Sequence, residues 1–148
     1  MSLEKKIMTD LKAAMKAKDQ AALRSIRAIK SAILLEKTSG SGKEITEADE
    51  IKMLQKLVKQ RKDSHQIYEK EGRDDLASKE AEEIEVIQRY LPEQMSDEKL
   101  EQEVKAIIEE VGATSMKDMG KVMGLASQRF AGRAEGKAIS AKVKAILG

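Results

Sequence analysis

Cysteine is absent from this sequence of 148 residues, and histidine occurs only once, at position 65. Without cysteine the chain has no disulfide bond, no thiolate metal ligand and no cysteine nucleophile. His65 has no second histidine with which to hold a metal, and its neighbour Ser64 would not face it on a helix. We therefore expect no catalytic residue, no metal site and no cofactor.

Aromatic residues and proline are also scarce. Tyr68, Tyr90 and Phe130 are the only aromatic residues, so aliphatic residues and methionine must build the interior. Those residues favour helices, and the one proline, Pro92, leaves long stretches without a helix-breaking residue. No segment shows the alternation of apolar and polar residues that is typical of a strand. The sequence therefore predicts an all-α fold.

Long apolar runs are missing as well. No run approaches the roughly 18 residues that a membrane-spanning helix needs. Residues 1–19 mix charged and apolar side chains and do not have the apolar core of a signal peptide. We therefore expect a soluble, cytoplasmic protein with no membrane contact.

Apolar residues spaced by three and four predict about four helices before Pro92. Ser2 and Asp19 are suited to cap the first two helices, and Thr46 with Asp49 forms a capping-box pattern for the third. An acidic turn over residues 72–75 is expected to end the third helix and cap the fourth. The fourth should end at residue 90 or 91, because a residue before proline avoids helical geometry.

Pro92 divides the predicted fold into an N-terminal helical lobe, 1–92, and a C-terminal lobe, 93–148. Ser96 is suited to cap the fifth helix, and Gly112 is suited to end it in a left-handed conformation. Two further apolar patterns follow before the end of the chain, so the C-terminal lobe should have three helices.

Charge is distributed unevenly, although the formal net charge is only +2. Residues 93–118 carry three basic and eight acidic side chains, whereas residues 119–148 carry six basic side chains against Glu135 alone. The basic segment could face an anionic partner, or it could pack against the acidic segment. The sequence leaves both explanations open.

Gly-Lys pairs suggest comparison with the nucleotide-binding loop G-x-x-x-x-G-K-[ST], which follows a strand. Before Gly136-Lys137 the first glycine position holds Ala131, and Ala138 replaces the hydroxyl residue. Gly42-Lys43, in a Gly/Ser-rich loop that we expect to be flexible, fails at the same two positions. Since no strand is predicted either, we exclude a nucleotide-binding loop at both sites.

Basic residues at helical spacing are a second candidate for anion binding. The third helix carries a row of four lysines, Lys52, Lys56, Lys59 and Lys62. The second helix carries a shorter basic row, Arg24, Arg27 and Lys30. Such rows can follow phosphates, although mixed charged faces are common. Three aromatic residues, which we expect in the core, cannot stack single-stranded bases. Any RNA contact should therefore be to backbone and shape, as in structured RNA.

Three motifs together resemble the GatB/YqeY family: 90-YLPEQMSDEKL-100, 115-SMKDMGKVMG-124 and 132-GRAEGKAISAKV-143. The segment 16-KAKDQAALRSIRAIKSAI-33 is also similar, so the resemblance extends over essentially the whole chain. It implies an all-α protein of two lobes, similar to the tail of the B subunit of the tRNA-dependent amidotransferase. Because that tail is associated with holding tRNA, the resemblance also implies structured RNA, with tRNA favoured, as a partner.

The resemblance carries over specific residues of the C-terminal lobe, namely Gly120, Lys121, Gly132, Arg133, Gly136 and Lys137. The chain departs from the family pattern at Glu135, where the family commonly has aspartate, and at Ser127, where proline is frequent. Pro92, Gly120, Gly132 and Gly136 are expected to shape turns. The residues expected to bind nucleic acid are Lys121, Arg129, Arg133, Lys137, Lys52, Lys56 and Lys59.

We therefore expect a non-catalytic, tRNA- or RNA-binding or adaptor module, with translation-related proteins as further possible partners. One alternative is an amidotransferase-related enzyme, a carbon–nitrogen ligase with glutamine as amido donor, that acts with other subunits. Another is a protein-interaction module whose basic lobe docks on acidic groups. In its intramolecular version, Arg133 and Lys137 would pair with Glu101 or Glu109.

Overall fold

The computed structural model describes residues 2–39 and 44–148. These residues form seven α-helices and no strand, which confirms the all-α prediction. The helices are α1 (Leu3–Ala17), α2 (Gln20–Thr38), α3 (Glu47–Lys70), α4 (Asp74–Gln88), α5 (Asp97–Val111), α6 (Met119–Arg129) and α7 (Gly136–Leu147). A short 3₁₀ helix, Met116–Asp118, precedes α6. The flexible loop predicted around Gly42-Lys43 lies largely outside the described residues.

The chain consists of two compact units, one ending at Leu91 and the other beginning at Pro92. Helices α1 to α4 belong to the N-terminal unit, and α5 to α7 belong to the C-terminal unit. Each unit has its own cluster of buried apolar side chains.

Side-chain caps begin four of the helices where the sequence predicts them. Ser2, Asp19 and Ser96 each accept a hydrogen bond from the amide three residues later, at 3.3, 3.1 and 3.1 Å. Thr46 and Asp49 form the reciprocal capping box, with bonds of 3.2 and 3.0 Å. Such a cap satisfies an amide that the helix itself leaves unpaired, and it typically contributes about 1 kcal/mol.

Helix α4 differs from its prediction at both ends. Its N-cap is Arg73, which makes no side-chain capping bond. The acidic residues of the predicted turn do not cap the helix. Asp75 instead forms an ion pair with Arg73, at 3.3 Å. The helix ends at Gln88 rather than at residue 90 or 91, and two turn residues precede Leu91.

The N-terminal core contains the apolar face of α2 together with residues from the other three helices. Its buried members are Leu3, Ile7, Ala14, Ala22, Leu23, Ile26, Ile29, Ile33, Leu54, Val58 and Ile87. Four residues that the spacing assigns to apolar faces, Met8, Met15, Leu34 and Ala81, are exposed and lie outside this core. Leu34 is 63% exposed. Leu34 directly follows Ile33 and is offset from it by about 100° around the helix axis, and here Ile33 packs in the core while Leu34 faces outward.

One carboxylate joins three helices of this unit. Glu83 on α4 accepts a hydrogen bond from Arg61 on α3, at 3.3 Å between Nε and Oε1. Its second oxygen lies 3.8 Å from Nε of Arg24 on α2. The side chain of Glu83 is only 16% exposed. Burial, followed by repulsion from Glu83, raises the pKa of neighbouring Glu80.

A second polar contact ties α1 to the end of the unit. The Tyr90 hydroxyl donates a hydrogen bond of 2.5 Å to Asp10, and the Lys6 ammonium lies 5.3 Å from the centre of the Tyr90 ring. Burial and the bond to Asp10 raise the pKa of the Tyr90 hydroxyl. Two residues of α1 therefore hold the Tyr90 side chain: Asp10 binds its hydroxyl, and Lys6 lies over the face of its ring.

The C-terminal core is formed by one face of each of its three helices. Its buried members are Leu100, Val104, Ile107, Val122, Ala126, Phe130, Ile139 and Val143. Gly112 ends α5 in the predicted left-handed conformation, with φ at 69°. The amides of Gly112 and Ala113 donate hydrogen bonds to the carbonyls of Glu109 and Ile108, in the last turn of the helix. This arrangement satisfies carbonyl groups that the helix end would leave unpaired.

We expect Glu83→Gln to lower the free energy of unfolding by about 2 kcal/mol, since it weakens bonds between charged groups that are mostly buried. Urea denaturation followed by circular dichroism measures the change. Glu85→Gln is the matched control on the same helix. Glu85 pairs with Arg89 at 3.5 Å, and both side chains are exposed, so its loss should change stability by less than about 0.5 kcal/mol. Equal effects of the two substitutions would contradict the structural role of Glu83.

Candidate nucleic-acid interface

The segment between α6 and α7 is a tight turn that displays Arg133, and we call residues 130–136 the basic turn. Gly132 is buried in it with φ at 78°, a left-handed conformation that glycine adopts without a steric penalty. The amides of Arg133 and Ala134 both donate to the Phe130 carbonyl, at 2.8 and 3.2 Å. Since Phe130 is itself buried, the turn is fixed to the core at its first residue.

Residues just after Pro92 hold the basic turn from its other side. The Gln94 side-chain amide donates to the Gly132 carbonyl at 2.6 Å, and the Met95 backbone amide donates to the Arg133 carbonyl at 2.9 Å. The carbonyls of Gly132 and Arg133 therefore both accept a hydrogen bond from the segment that follows Pro92. Nε of Arg133 makes only a long contact, 3.4 Å, with the Glu93 carbonyl, so most of its guanidinium donors are available.

Helix α7 begins at Gly136, the last residue of the basic turn, without a side-chain cap. Its N-cap residue, Glu135, makes no capping bond, and no acidic residue lies in the first turn of the helix. The first amides of α7 therefore carry the partial positive charge of a helix N-terminus. Lys137, the second residue of α7, is exposed beside them. Arg133 and Lys137 make no ion pair among the described residues of the C-terminal unit.

Two of the glycines expected in turns lie within helices instead. Gly120 is the second residue of α6, and Gly136 is the first residue of α7. A Cβ atom added at either position would meet no other atom within 4 Å. Neither has the positive φ that Gly132 has. Of the three, only Gly132 needs to be glycine for conformational reasons, whereas Pro92 does begin the second unit.

Arg129 lies near the basic turn but is already paired. Its two terminal nitrogens donate to both oxygens of Glu110, at 2.6 and 2.7 Å. These bonds lower the pKa of the Glu110 carboxyl and raise that of Arg129. Arg129 is therefore occupied in joining α6 to α5, and it is less suited to bind a phosphate than Arg133.

Lys121 is exposed on α6 and faces a local acid. Asp118 accepts hydrogen bonds from the amides of Thr114 and Ser115, at 2.9 and 3.4 Å. These bonds, and in smaller part the charge of Lys121, lower the pKa of Asp118. Lys121 has no ion pair among the described residues, so it can supplement the basic turn only as a nearby positive charge.

The uneven charge of the C-terminal half is explained in part by pairs within this unit. Arg129 pairs with Glu110, and Lys142 pairs with Asp97 at 2.8 Å. The pairs proposed for the intramolecular alternative do not form, since Glu101 binds Lys105 at 3.5 Å instead. Packing of basic on acidic segments thus accounts for Arg129 and Lys142 but not for Arg133 and Lys137.

Lys52, Lys56 and Lys59 lie on α3, in the N-terminal unit, and all three are exposed. The sequence groups them with the C-terminal cations, but the two sets belong to different compact units. Lys52 and Lys56 line one side of a groove between α2 and α3, whose apolar residues include Leu35, Met53 and Leu57. The spacing of apolar residues in the sequence does not predict this groove. The run Ile33-Leu34-Leu35 is a signal, because three consecutive helical residues span about 200° around the axis, which is wider than one apolar face.

His65 has a structural partner, as its sequence position suggests. Its Nδ1 lies 2.9 Å from Glu69, one helical turn further along α3. In the described part of the chain, no group of three or more histidine or acidic side chains is arranged to hold a metal ion.

Comparison with known proteins identifies the family. Residues 4–147 match the family described as Yqey-like protein. The chain belongs to the YqeY-like family. Among its relatives is "Altered inheritance of mitochondria protein 41, mitochondrial" from Vanderwaltozyma polyspora, which is 36% identical over 116 residues, or 74% of this chain and 63% of the relative. The same-named protein of Pyrenophora tritici-repentis is 29% identical over 147 residues, covering 97% of this chain and 80% of the relative.

The chain spans only part of several relatives. It covers 63% of the length of the proteins from Vanderwaltozyma polyspora and Clavispora lusitaniae, and 55% of the one from Saccharomyces cerevisiae strain YJM789. Family membership is therefore established for the helical region that these proteins share.

The names of these relatives correct the expected location. They are mitochondrial proteins by name, so the cytoplasmic expectation is wrong. That expectation depended on the missing long apolar runs and on residues 1–19, and neither feature separates the cytoplasm from a mitochondrial compartment. Among the described helices, none is both long and apolar enough to cross a membrane.

We predict opposite effects of alanine at the two glycines of the basic turn. Gly132→Ala should lower the free energy of unfolding by about 1–2 kcal/mol, because an L-residue is strained at that positive φ. Gly136→Ala should raise it by about 0.5 kcal/mol, because it restricts the unfolded chain and adds a favourable helical residue in open space. Thermal unfolding of both variants beside the parent chain measures the difference. A destabilised Gly136→Ala variant would show that the first turn of α7 is packed more closely than described.

Proposed function

We propose that the C-terminal unit of this YqeY-like protein binds phosphate groups of structured RNA, with tRNA the favoured partner, and that it acts as a binding or adaptor module. The observation that supports this proposal best is the pairing pattern of the cations. Arg133 and Lys137 flank the uncapped start of α7 and have no described acidic partner within their unit, whereas Arg129 and Lys142 do. Free cations beside free helix amides are suited to an anion.

The chemistry of the site favours phosphates in particular. The guanidinium of Arg133 can donate two parallel hydrogen bonds to a phosphate, and the ammonium of Lys137 adds a mobile positive charge. The α7 amides add donors that need no side-chain ordering, since the basic turn already fixes them. Lys121 contributes attraction at longer range.

The few aromatic residues favour RNA backbone over bases as the ligand. Phe130, the only aromatic residue of the C-terminal unit, is 3% exposed and belongs to the core. It cannot stack on a base, which is how proteins usually hold single strands. A helical protein without an exposed ring can still recognise the spacing of phosphates on a folded RNA. This reasoning supports structured RNA, and the resemblance to the amidotransferase tail adds support for tRNA.

We expect Arg133→Ala/Lys137→Ala to weaken binding of purified tRNA at least about tenfold at low salt. Each lost phosphate contact should also reduce the slope of log affinity against log salt concentration by about one. Fluorescence anisotropy of labelled tRNA at several salt concentrations measures both quantities. The double variant should remain folded, since the turn is held through its backbone carbonyls and neither side chain belongs to the buried core.

A matched control removes the same charge from the same unit. Lys99 and Lys105 are exposed but pair with Glu103 and Glu101 at 3.1 and 3.5 Å. Lys99→Ala/Lys105→Ala should therefore leave affinity nearly unchanged. Equal losses in both double variants would mean that only net charge matters, and no binding by the parent chain at low salt would refute the RNA proposal.

A further inference from the structure

The groove between α2 and α3 is an apolar surface that no helix of its own unit covers. It has a volume of about 300 Å³, and Ala32, Leu35, Met53 and Leu57 supply its apolar wall. Leu35 is 71% exposed, the highest value among the large apolar side chains of the described residues. A single exposed leucine is ordinary, but one that continues into a groove of further apolar side chains is typical of a binding surface.

Lysines border this groove along one side. Lys52 and Lys56 line it, and Lys59 follows at the next helical position on the same side of α3. The three lysines are exposed, and none has an ion pair among the residues that the structure describes. The acidic residues of the groove, Glu36 and Asp49, lie at the end nearest the α2–α3 connection. The groove therefore has an apolar floor, a basic side and an acidic end.

We propose that this groove docks an amphipathic helix of a partner protein, with its apolar face on Leu35, Met53 and Leu57 and with acidic residues along the flank that meets Lys52 and Lys56. A helix fits because two helices form the walls, and an amphipathic helix places apolar residues at i, i+3, i+4 and i+7 along such a groove. The acidic flank follows from charge complementarity with the lysine row.

The combination of charge and apolar surface favours protein over RNA at this groove. At the basic turn, the free cations flank backbone amides, and both groups suit phosphate. At the groove, the free cations flank aliphatic side chains, which a phosphate backbone would leave in contact with water. An acidic amphipathic helix uses both features at once. This inference is independent of the proposed RNA contact, which lies in the other unit.

Helical peptides test the proposal directly. The probes are fluorescein-labelled peptides of about 18 residues with Leu at i, i+3, i+4 and i+7, and with either Glu or Lys along one flank. In the absence of RNA, we expect the acidic peptides to bind the whole chain at least about tenfold more tightly than the basic ones, as measured by anisotropy. Leu35→Glu should weaken acidic-peptide binding about tenfold, and Lys52→Glu/Lys56→Glu should remove the preference for acidic peptides.

Matched controls separate the groove from general charge and apolar surface. Lys12→Glu/Lys16→Glu reverses two exposed lysines with the same spacing on α1, and Ile67→Glu replaces an apolar side chain that is 55% exposed on α3. Both should leave peptide binding unchanged, and circular dichroism checks that all variants fold. Because the replaced side chains are exposed, loss of fold is not expected.

Three results would overturn the proposal. The first is that neither peptide binds, or that both bind equally. The second is that Lys52→Glu/Lys56→Glu weakens tRNA binding while acidic peptides do not bind, which would assign the lysine row to nucleic acid. The third is that the parent chain is dimeric by analytical ultracentrifugation and Leu35→Glu makes it monomeric, which would assign the groove to a second copy of the chain.

Discussion

The hydrogen bond from the Met95 amide to the Arg133 carbonyl, at 2.9 Å, is the constraint on which the C-terminal site depends. Together with the bond from Gln94 to Gly132, it fixes a turn that joins two short helices to the segment that begins the unit. Arg133 is partly exposed on this turn, and α7 starts at its last residue. A segment remote in sequence therefore positions the candidate phosphate contacts, although it contributes no charge to them.

Features that depend on neighbouring residues could be predicted from the sequence. The caps at Ser2, Asp19, Thr46 and Ser96 follow from the side chain and the amides within three residues, and so does the left-handed Gly112. The all-α class follows equally from local spacing. These predictions held because the interactions that produce them lie within one helical turn.

Features that depend on distant residues could not be predicted. Arg129 and Arg133 look equivalent in the sequence, but Glu110 occupies one of them from 19 positions away. Leu35 cannot be recognised as part of a groove until α3 is placed beside it. The position of Gly136 also depended on where α7 begins, and α7 follows a turn that Gln94 and Met95 hold from 38 positions away. The sequence thus indicates which segment is rich in basic residues. The tertiary structure determines which of these residues form ion pairs within the unit and which can bind an external anion.

The carboxylate of Glu83 has a consequence for how the N-terminal unit opens. Its two oxygens face arginines on two different helices, Arg24 on α2 and Arg61 on α3. If either helix separated from α4, the mostly buried Glu83 carboxylate would lose one of its positively charged partners, which costs free energy. Partial unfolding of one helix is therefore disfavoured relative to loss of all three. Slow amide exchange in α2, α3 and α4 should accordingly report a single cooperative unit, which includes both helices that line the α2–α3 groove.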